Sequence, residues 1–361
     1  MTDRLSTLLH DEAAAIAVPP VPDLVPAGHR AVRRRRTRTA LVGAVAAALV
    51  AVGASVAVDR WRGHDGVEPA DGLSYEQQGV WISGDEAHVG THVVPLRGSL
   101  AGGIDYTAVG AVVRSADPGS GRTFLTLVSP DGRTRDLGEV DALATDVTSS
   151  TVVIETSTGP HTRQLATWDL TTDVRRPLGE PFRTQGDPGS TLALSGPYVV
   201  FQRGQRMVMM DRDTGRVQRL PQEELGLTTF QSFGPAGYLT APEGAPVHVT
   251  EWHVRSLPDG DLVGTYPDGG DQVASISPDG RYLLTSGDAG SELYDVASGE
   301  ALPLGFPERR TSGWSPDGHV VTTSPGGTVL VCAPTTGACT DTGEPAGDDL
   351  TVARGSYNSW S

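Results

Sequence analysis

The sequence predicts an all-β fold, a ring of small antiparallel sheets that follows one transmembrane helix. Three features predict it. The stretch at 39–58 carries no charge and no proline and directly follows a cluster of arginines. Glycine and proline are too frequent for a helical domain, with 45 and 26 residues among 361. Short β-branched runs then alternate with Pro-Asp-Gly, Thr-Gly and Ser-Gly turns, a pattern typical of many short antiparallel strands.

The apolar stretch at 39–58 predicts a membrane-spanning helix. A helix of this length rises about 30 Å, at about 1.5 Å per residue, and therefore crosses the hydrocarbon core of a bilayer. Cytoplasmic flanks collect arginine, which places the basic cluster inside and everything after Val58 outside. The cluster that carries this topology signal consists of Arg33, Arg34, Arg35, Arg36 and Arg38.

A cleaved signal peptide is the alternative, because Ser55 and Ala57 are small residues suited to a cleavage site. Apolar regions of signal peptides run about 7–15 residues behind a short leader, whereas here 38 residues precede a longer apolar stretch. We therefore expect a single-pass plasma-membrane protein with a cytoplasmic N terminus and an extracytoplasmic C-terminal domain. The expected regions are a cytoplasmic segment at 1–38, the span at 39–58, a linker at 59–78 and the outer domain at 79–361.

The charge of the outer part argues against nucleic acid as a partner. The chain contains no lysine, and from residue 59 onward it carries 21 arginines and 40 acidic residues, a formal charge of −19. Such a surface repels nucleic acid and anionic lipid heads. Only seven arginines precede residue 59, and they abut the apolar stretch, so membrane topology explains them better than a nucleic-acid patch.

An internal repeat organises the outer domain. The segment Ile276–Ser286 aligns without a gap on Trp314–Ser324, at an offset of 38 residues, and both copies contain Ser-Pro-Asp-Gly. Units of about 40 residues with four short strands are typical of propeller blades, because one blade must stack on its neighbours to bury both of its faces. With Asp295 as a marker, equivalent positions fall at Asp169, Asp211, His253 and Ala333.

The outer domain is long enough for seven such blades, and six are the alternative because the first unit, around Glu86, matches poorly. A ring of blades has to close, and the two chain ends commonly share one blade. We expect Leu350–Ala353 to pair with the strands at Gly79–Ile82 and His88–Val94.

The turn Ser277–Arg281 and the later hairpin at Tyr294–Gly299 resemble those of TolB-like and WD-repeat β-propellers, over roughly residues 120–345. The dipeptides of strict WD repeats are mostly missing, although Trp168-Asp169 occurs once, so the resemblance is nearer to the TolB-like group. The whole arrangement resembles actinobacterial single-pass membrane proteins of unassigned role. The resemblance includes peptidases that join a propeller to a hydrolase domain, but we expect no second domain here.

The two cysteines, Cys332 and Cys339, predict a disulfide. Both follow the span, on the side of the membrane where disulfides persist. In the repeat they occupy the two arms of a hairpin that turns at Thr335–Gly337, where cross-strand Cβ atoms lie about 4.5–5.5 Å apart. We expect a structural bridge that fastens the last complete blade.

Two groups of side chains qualify as metal ligands by residue type. His88 and His92 stand four apart in a stretch that alternates like a strand, which would point both to one face. No third ligand is near, so surface histidines are the preferred interpretation. The second group lacks the spacing of an EF-hand and fits tight turns better, and it consists of Asp259, Asp261, Asp268 and Asp271.

No motif of a catalytic site is present. The sequence has no Gly-x-Ser-x-Gly nucleophile elbow and no phosphate-binding glycine loop before a helix. The serines of the Ser-Pro-Asp-Gly turns recur from blade to blade, which indicates architecture. We therefore nominate no catalytic, cofactor-binding or metal-binding residue and expect no cofactor.

The cytoplasmic segment predicts one short amphipathic helix from about Asp3 to Ala17, ended by Pro19 and Pro20. This helix could dock on a cytoplasmic protein, lie on lipid or have no partner. A membrane regulator that binds a sigma factor through residues 1–38 is one hypothesis, although the zinc-binding His-Cys-Cys pattern of anti-sigma factors is absent.

The leading functional hypothesis is a non-enzymatic, membrane-anchored propeller that binds an extracytoplasmic protein, peptide or envelope component. Propellers present rigid rings of loops and a central channel, and this chain carries no recognisable catalytic set. The alternative is an extracytoplasmic lactonase or hydrolase with a metal held in the central channel.

Overall fold

The repeated strands and turns form seven four-stranded antiparallel sheets within the described part of the chain. Seven blades are therefore confirmed and six are excluded. The computed structural model describes residues 73–98, 100–116, 123–183, 192–203, 206–220, 229–234, 237–241, 251–267, 270–287, 290–304, 311–347 and 350–353.

The described elements comprise one helix turn, α1 (Tyr75–Gln78), and 28 strands. In chain order the strands are β1 (Val80–Ser83), β2 (Glu86–Val89), β3 (His92–Pro95), β4 (Leu100–Thr107), β5 (Gly110–Ala116), β6 (Thr123–Val128), β7 (Thr134–Gly138), β8 (Ala142–Ala144), β9 (Thr151–Gly159), β10 (Thr162–Asp169), β11 (Val174–Arg183), β12 (Leu192–Ser195), β13 (Tyr198–Arg203), β14 (Arg206–Asp211), β15 (Val217–Arg219), β16 (Thr229–Gly234), β17 (Gly237–Ala241), β18 (Glu251–Arg255), β19 (Leu262–Pro267), β20 (Gly270–Ile276), β21 (Tyr282–Gly287), β22 (Gly290–Asp295), β23 (Ala301–Leu302), β24 (Gly313–Trp314), β25 (Val320–Thr323), β26 (Thr328–Cys332), β27 (Cys339–Pro345) and β28 (Thr351–Val352).

Each blade is a meander in which consecutive strands pair. Blade 1 has the order β28-β1-β2-β3, and blades 2 to 7 begin with β4, β8, β12, β16, β20 and β24. Neighbouring blades contact each other through these first strands, for example β8 with β12 and β16 with β20. The first strands therefore surround the centre, and the fourth strand of each blade forms the outer rim.

Antiparallel order divides the propeller into two faces. The connections between first and second strands, and between third and fourth strands, lie on one face, which we call the turn face. The remaining connections lie on the opposite, loop face. The described chain enters β1 and leaves β28 on the turn face, where the backbone N–H of Asp317 donates to the carbonyl of Glu76 over 3.1 Å.

Blade 1 closes the ring by combining both chain ends. Strand β28 pairs antiparallel with β1, with Trp81 opposite Val352 and Ile82 opposite Thr351. The N–H of Trp314 in blade 7 also donates to the carbonyl of Ala353 over 2.7 Å. The predicted closure, in which Leu350–Ala353 pairs with the strand at Gly79–Ile82, is therefore confirmed.

Seven clusters of buried apolar side chains fill the junctions, one between each pair of neighbouring blades in the described residues. The junction of blades 7 and 1 has its own cluster, in which Trp81 contacts Val321 and Val352. Because the cluster at the closure is built like the others, the ring is packed all the way round.

The Ser-Pro-Asp-Gly segments form the same turn wherever they occur. In each, the serine hydroxyl donates to the aspartate two residues on, as Ser277 does to Asp279 over 2.5 Å and Ser315 to Asp317 over 2.8 Å. Glycine is required because its φ is positive, +84° at Gly318. These turns lie on the turn face, and their serines have the structural role that the repeat predicts.

Aspartates also cap the turns between third and fourth strands. The carboxylate of Asp295 accepts from the backbone N–H groups of Ala297 and Ser298, over 3.0 and 2.9 Å, and Asp169 and Asp211 do the same in their blades. The predicted equivalence of Asp169, Asp211 and Asp295 is therefore confirmed.

The predicted marker at His253 is wrong. The residue that begins the corresponding turn is Ser256, whose N–H donates to Asp261 and whose carbonyl accepts from Gly260, and His253 lies inside β18. The chain between β17 and β18 is longer than in the other blades, so a constant period placed the marker three residues early.

The last residues of the expected linker at 59–78 form α1. Ser74 is the N-cap of this helix, where its N–H donates to the side chain of Gln77 over 3.0 Å, and Tyr75 packs edge-on against Tyr106. The Tyr106 hydroxyl contacts the backbone of Val80, and burial raises the pKa of this phenol well above its ordinary value. The last residues of the expected linker are thus part of the propeller.

The cytoplasmic segment at 1–38 and the span at 39–58 lie outside the described residues. Among the residues that are described, the helix content includes nothing of the length and apolar character that a bilayer crossing requires. The membrane topology therefore stays a prediction.

The predicted disulfide is present between Cys332 and Cys339, which are direct cross-strand partners on β26 and β27. We expect replacement of both cysteines by serine to lower the free energy of unfolding by up to about 2.5 kcal/mol, because the unfolded chain loses a closed loop. Urea unfolding of the oxidised, reduced and double-serine proteins measures this. Equal stability of the three forms would contradict a structural role.

Acid should weaken the aspartate-capped turns. Hydrogen bonds from the backbone N–H of Ser298 hold the pKa of Asp295 below its ordinary value, despite some desolvation. Because the pKa is lower in the folded state, the ionised carboxylate stabilises the fold when the pH is above the unfolded pKa of about 3.9. This contribution is lost as the pH falls through the folded pKa. We expect Asp295→Ala to melt at a lower temperature than the parent protein at pH 7, and we expect this difference to shrink as the pH falls below the unfolded pKa. A deficit that is independent of pH would contradict the assignment, and Asp295→Asn, which keeps an acceptor, is the control.

Candidate functional site

Buried charges in the described residues are paired with one another. Asp105 on β4 and Arg114 on β5 form an ion pair whose side chains are almost fully buried, with the Arg114 Nη2 2.5 Å and Nε 3.1 Å from the same Asp105 oxygen. A buried charge is tolerated only when it is paired and hydrogen-bonded. This pair therefore has a structural role at the junction of blades 2 and 3.

A second charged network lies on blade 3. The guanidinium of Arg163 is 3.4 Å from Glu155 and 3.3 Å from Asp141, and it also donates to the hydroxyl of Ser157. Glu155 is fully buried. One arginine thus neutralises a carboxylate that could not otherwise remain ionised inside the blade.

The two histidines do not share a face of one strand, and that prediction is wrong. His88 lies on β2 and His92 begins β3, because a hairpin turns between them at Gly90, whose φ is +56°. The imidazole of His88 is largely buried and stacks on Trp81 at 5.5 Å. His92 is exposed, so only His92 is the surface histidine that was expected.

The acidic group in blade 5 is divided between two elements. Asp259 and Asp261 flank Gly260 in the turn after β18, where the Arg255 guanidinium donates to the Gly260 carbonyl over 2.9 Å. Asp268 and the side chain of Asp271 lie outside the described part. In the described residues no group of three histidine, cysteine or acidic side chains is arranged to hold a metal ion.

A cleft opens on the outer rim at the junction of blades 3 and 4, and we call it the seam cleft. Its volume is about 260 Å³. The lining residues come from β10 and β11 on one side and from β13 to β15 on the other. They are Leu165, Leu178, Gly179, Glu180, Phe182, Phe201, Arg203, Met210, Gly215 and Val217.

The floor of the seam cleft is the outer end of the apolar cluster between these blades. Phe182 and Phe201 pack at 4.9 Å between ring centroids, and Met210 belongs to the same cluster. Val217, at the rim, is 39% exposed. The floor residues Phe182, Phe201 and Met210 are themselves buried, so the exposed apolar surface of the cleft lies at its rim, as at Val217.

The shape of the cleft follows from the irregularity of β11. This strand is ten residues long, and its pairing with β10 shifts register between Arg163 and Leu165. Strand β15, across the cleft, has only three residues. A long bulged strand facing a short one leaves the junction incompletely covered along its side, from the turn face toward the loop face.

Three arginines border the seam cleft, and we call them the basic rim. All three are exposed, and within the described residues none forms an ion pair. Arg203 lines the cleft itself, whereas Arg175 stacks on Trp168 at 3.7 Å and therefore faces the junction of blades 2 and 3. The basic rim consists of Arg176, Arg203 and Arg219.

Sequence reasoning missed this site. Leu165 and Phe201 belong to different blades, and nothing in the local pattern of either strand reveals that they share a cleft. The signal available in the sequence was the unusual fourth strand of blade 3, which is long and contains Pro177 and Pro181. Prolines at such positions mark an edge strand.

Comparison with known proteins gives matches in fold only. No family model and no curated protein matches the chain. Many solved structures do, and they include β-propellers of different kinds. TolB from Acinetobacter baumannii is 13% identical with a TM-score of 0.41, and the match covers 60% of this chain and 60% of the TolB chain.

Two further structures illustrate the range of proteins with a similar fold. A putative 6-phosphogluconolactonase from Bacteroides uniformis is 14% identical, covering 77% of this chain and 97% of the other, with a TM-score of 0.44. The β-propeller domain of the Trilobed protease from Pyrococcus furiosus is 12% identical, covering 70% and 86%, with a TM-score of 0.44. At these identities the likeness concerns the fold alone.

If the buried ion pair is structural, removing one partner should destabilise the fold. We expect Arg114→Met to cost about 3–5 kcal/mol of unfolding free energy, because it leaves Asp105 buried without its cation. The double variant Asp105→Leu with Arg114→Met should recover most of the loss. Urea unfolding of the four proteins of this cycle measures the coupling. Additive losses would show that the two residues act independently.

Proposed function

We propose that this protein is a membrane-anchored, extracytoplasmic β-propeller that binds another protein or envelope component and is not an enzyme. The observation that carries the proposal is the seam cleft, a recess bordered by exposed arginines that have no ion pair within the described residues. Such a recess suits a ligand that brings both apolar and charged groups. The buried charges, by contrast, are used in internal pairs such as Asp105 with Arg114.

The path of the chain supports this use of the propeller. The described chain enters and leaves on the turn face, and the proposed anchor precedes residue 73 in the sequence. The outer rim, including the junction of blades 3 and 4, is left for a partner. The disulfide between Cys332 and Cys339 suits an oxidising compartment.

Site-specific photocrosslinking in intact cells tests the proposal. A photoreactive amino acid replaces Val217 at the rim of the seam cleft, and in a matched control it replaces Val93, which is 51% exposed on the outer strand of blade 1. We expect one discrete adduct from position 217 and none from position 93, because only the former lies beside a binding surface.

Identification of the adduct by mass spectrometry tests compartment as well as binding. The partner should be an exported or membrane protein whose crosslinked segment lies outside the cytoplasm. Identical adduct patterns from both positions would contradict a binding site at the cleft. A cytoplasmic partner would contradict the extracytoplasmic location.

A further inference from the structure

Charge is distributed unevenly around the propeller. Residues 142–219, which form blades 3 and 4, contain nine arginines and eight acidic residues. The rest of the chain from residue 59 onward contains 12 arginines and 32 acidic residues. Blades 3 and 4 are therefore a nearly neutral sector, with a formal charge of +1, in an otherwise strongly acidic domain.

Exposed arginines are used differently in this sector. In other blades Arg97, Arg133 and Arg281 are exposed and form ion pairs with aspartates, at 3.1, 3.2 and 3.6 Å. In the described residues the arginines of the basic rim have no such pairs. Three exposed cations that lack ion pairs within the described residues attract an anionic ligand.

The cations are placed along the seam cleft and not across one face. Arg176 precedes Leu178 by two residues on β11 and therefore shares its side of the strand, and Arg219 relates to Val217 in the same way on β15. Arg203 lies at the loop-face end of β13 and shares the side of Phe201. The three charges therefore lie along the seam, from near the turn-face end of β11 to the loop-face end of β13.

This geometry favours an extended peptide over a lipid surface. A bilayer would contact one end of this row of charges, whereas a peptide can follow the seam and place one side chain in the cleft. Backbone pairing with β11 is disfavoured because Pro177 and Pro181 lack N–H groups. Recognition must therefore use side chains. Glu180 is the one carboxylate that lines the cleft, and it is available to accept a hydrogen bond from the peptide.

We propose that the seam cleft and basic rim bind an extended acidic segment of a partner protein, with one aromatic or branched apolar side chain in the cleft. The carboxylates of the segment contact the rim, and the apolar side chain lies in the cleft beside Leu178 and Val217. This proposal rests on the proposed function and adds the chemistry of the partner.

The test uses the full chain, purified in detergent, and a fluorescent synthetic peptide Glu-Asp-Ser-Trp-Ser-Asp-Glu. Two control peptides replace either the acidic residues by lysine or the tryptophan by alanine. We expect the acidic peptide to bind with an affinity that falls as salt is raised, since exposed charges are screened. Both control peptides should bind at least about tenfold more weakly, a difference of about 1.4 kcal/mol.

Charge variants locate the site. The triple variant Arg176→Gln, Arg203→Gln and Arg219→Gln should weaken the acidic peptide at least about tenfold. The matched control, Arg97→Gln, Arg133→Gln and Arg281→Gln, removes three exposed arginines elsewhere and should change affinity less than about twofold.

Several outcomes would overturn the proposal. Equal weakening by both triple variants, or equal binding of the lysine peptide, would exclude recognition by the basic rim. Competition by phosphatidylglycerol vesicles together with no peptide binding would assign the rim to lipid. Concentration-dependent self-association that the rim variant abolishes would assign it to a second copy. If position 217 still gives a specific adduct in cells while the acidic peptide does not bind, the proposed function stands and this inference fails.

Discussion

The structure depends on the pairing of β28 with β1, because seven wedge-shaped sheets bury both of their faces only in a closed ring. In every junction that the described residues cover, apolar side chains from two blades form one cluster. At the junction of blades 7 and 1 this requires Val352, from the far end of the chain, to lie opposite Trp81. Without that contact blades 1 and 7 would each expose an apolar face, and Trp81, which is fully buried, would meet water.

Closure also decides which face of the propeller carries both ends of the described chain. Because one blade combines three strands from the start of the propeller with one from its end, the described chain begins and finishes on the turn face. Hydrogen bonds of Ser-Pro-Asp-Gly and aspartate-capped turns occupy much of that face. Binding surfaces are therefore expected elsewhere, and the junction of blades 3 and 4 supplies one through the mismatch between a long β11 and a short β15.

The fold was predictable from the sequence to the extent that local chemistry repeats. Serine, aspartate and glycine at fixed offsets make the same turn in blade after blade, so the period, the seven blades and the disulfide follow from the sequence. Predictions failed where a local pattern was ambiguous. His88 and His92 alternate like one strand, but the left-handed conformation of Gly90 reverses the chain between them. The marker at His253 failed because a longer connection shifted the true turn to Ser256.

The seam cleft could not be predicted, because it arises from contact between blades and not from any motif. Phe182 and Phe201 meet only after two consecutive repeats have folded and stacked. The charge asymmetry is visible in the sequence, but the sequence does not show that Arg176, Arg203 and Arg219 share one junction. Local turn chemistry thus specifies the scaffold. The candidate site depends on differences between blades, such as the lengths of β11 and β15, that an alignment of the repeats does not show.

Native-state amide hydrogen exchange of β28 and β1 tests whether the pairing of these two strands closes the ring. If β28 and β1 close the ring, the amides of Ile82 and Val352 should exchange with an opening free energy close to that of the inner strands β20 and β24, because local opening there would expose the shared core. If residues 350–353 exchange as fast as a frayed terminus while the inner strands of blades 6 and 7 stay protected, the pairing of β28 with β1 does not close the ring.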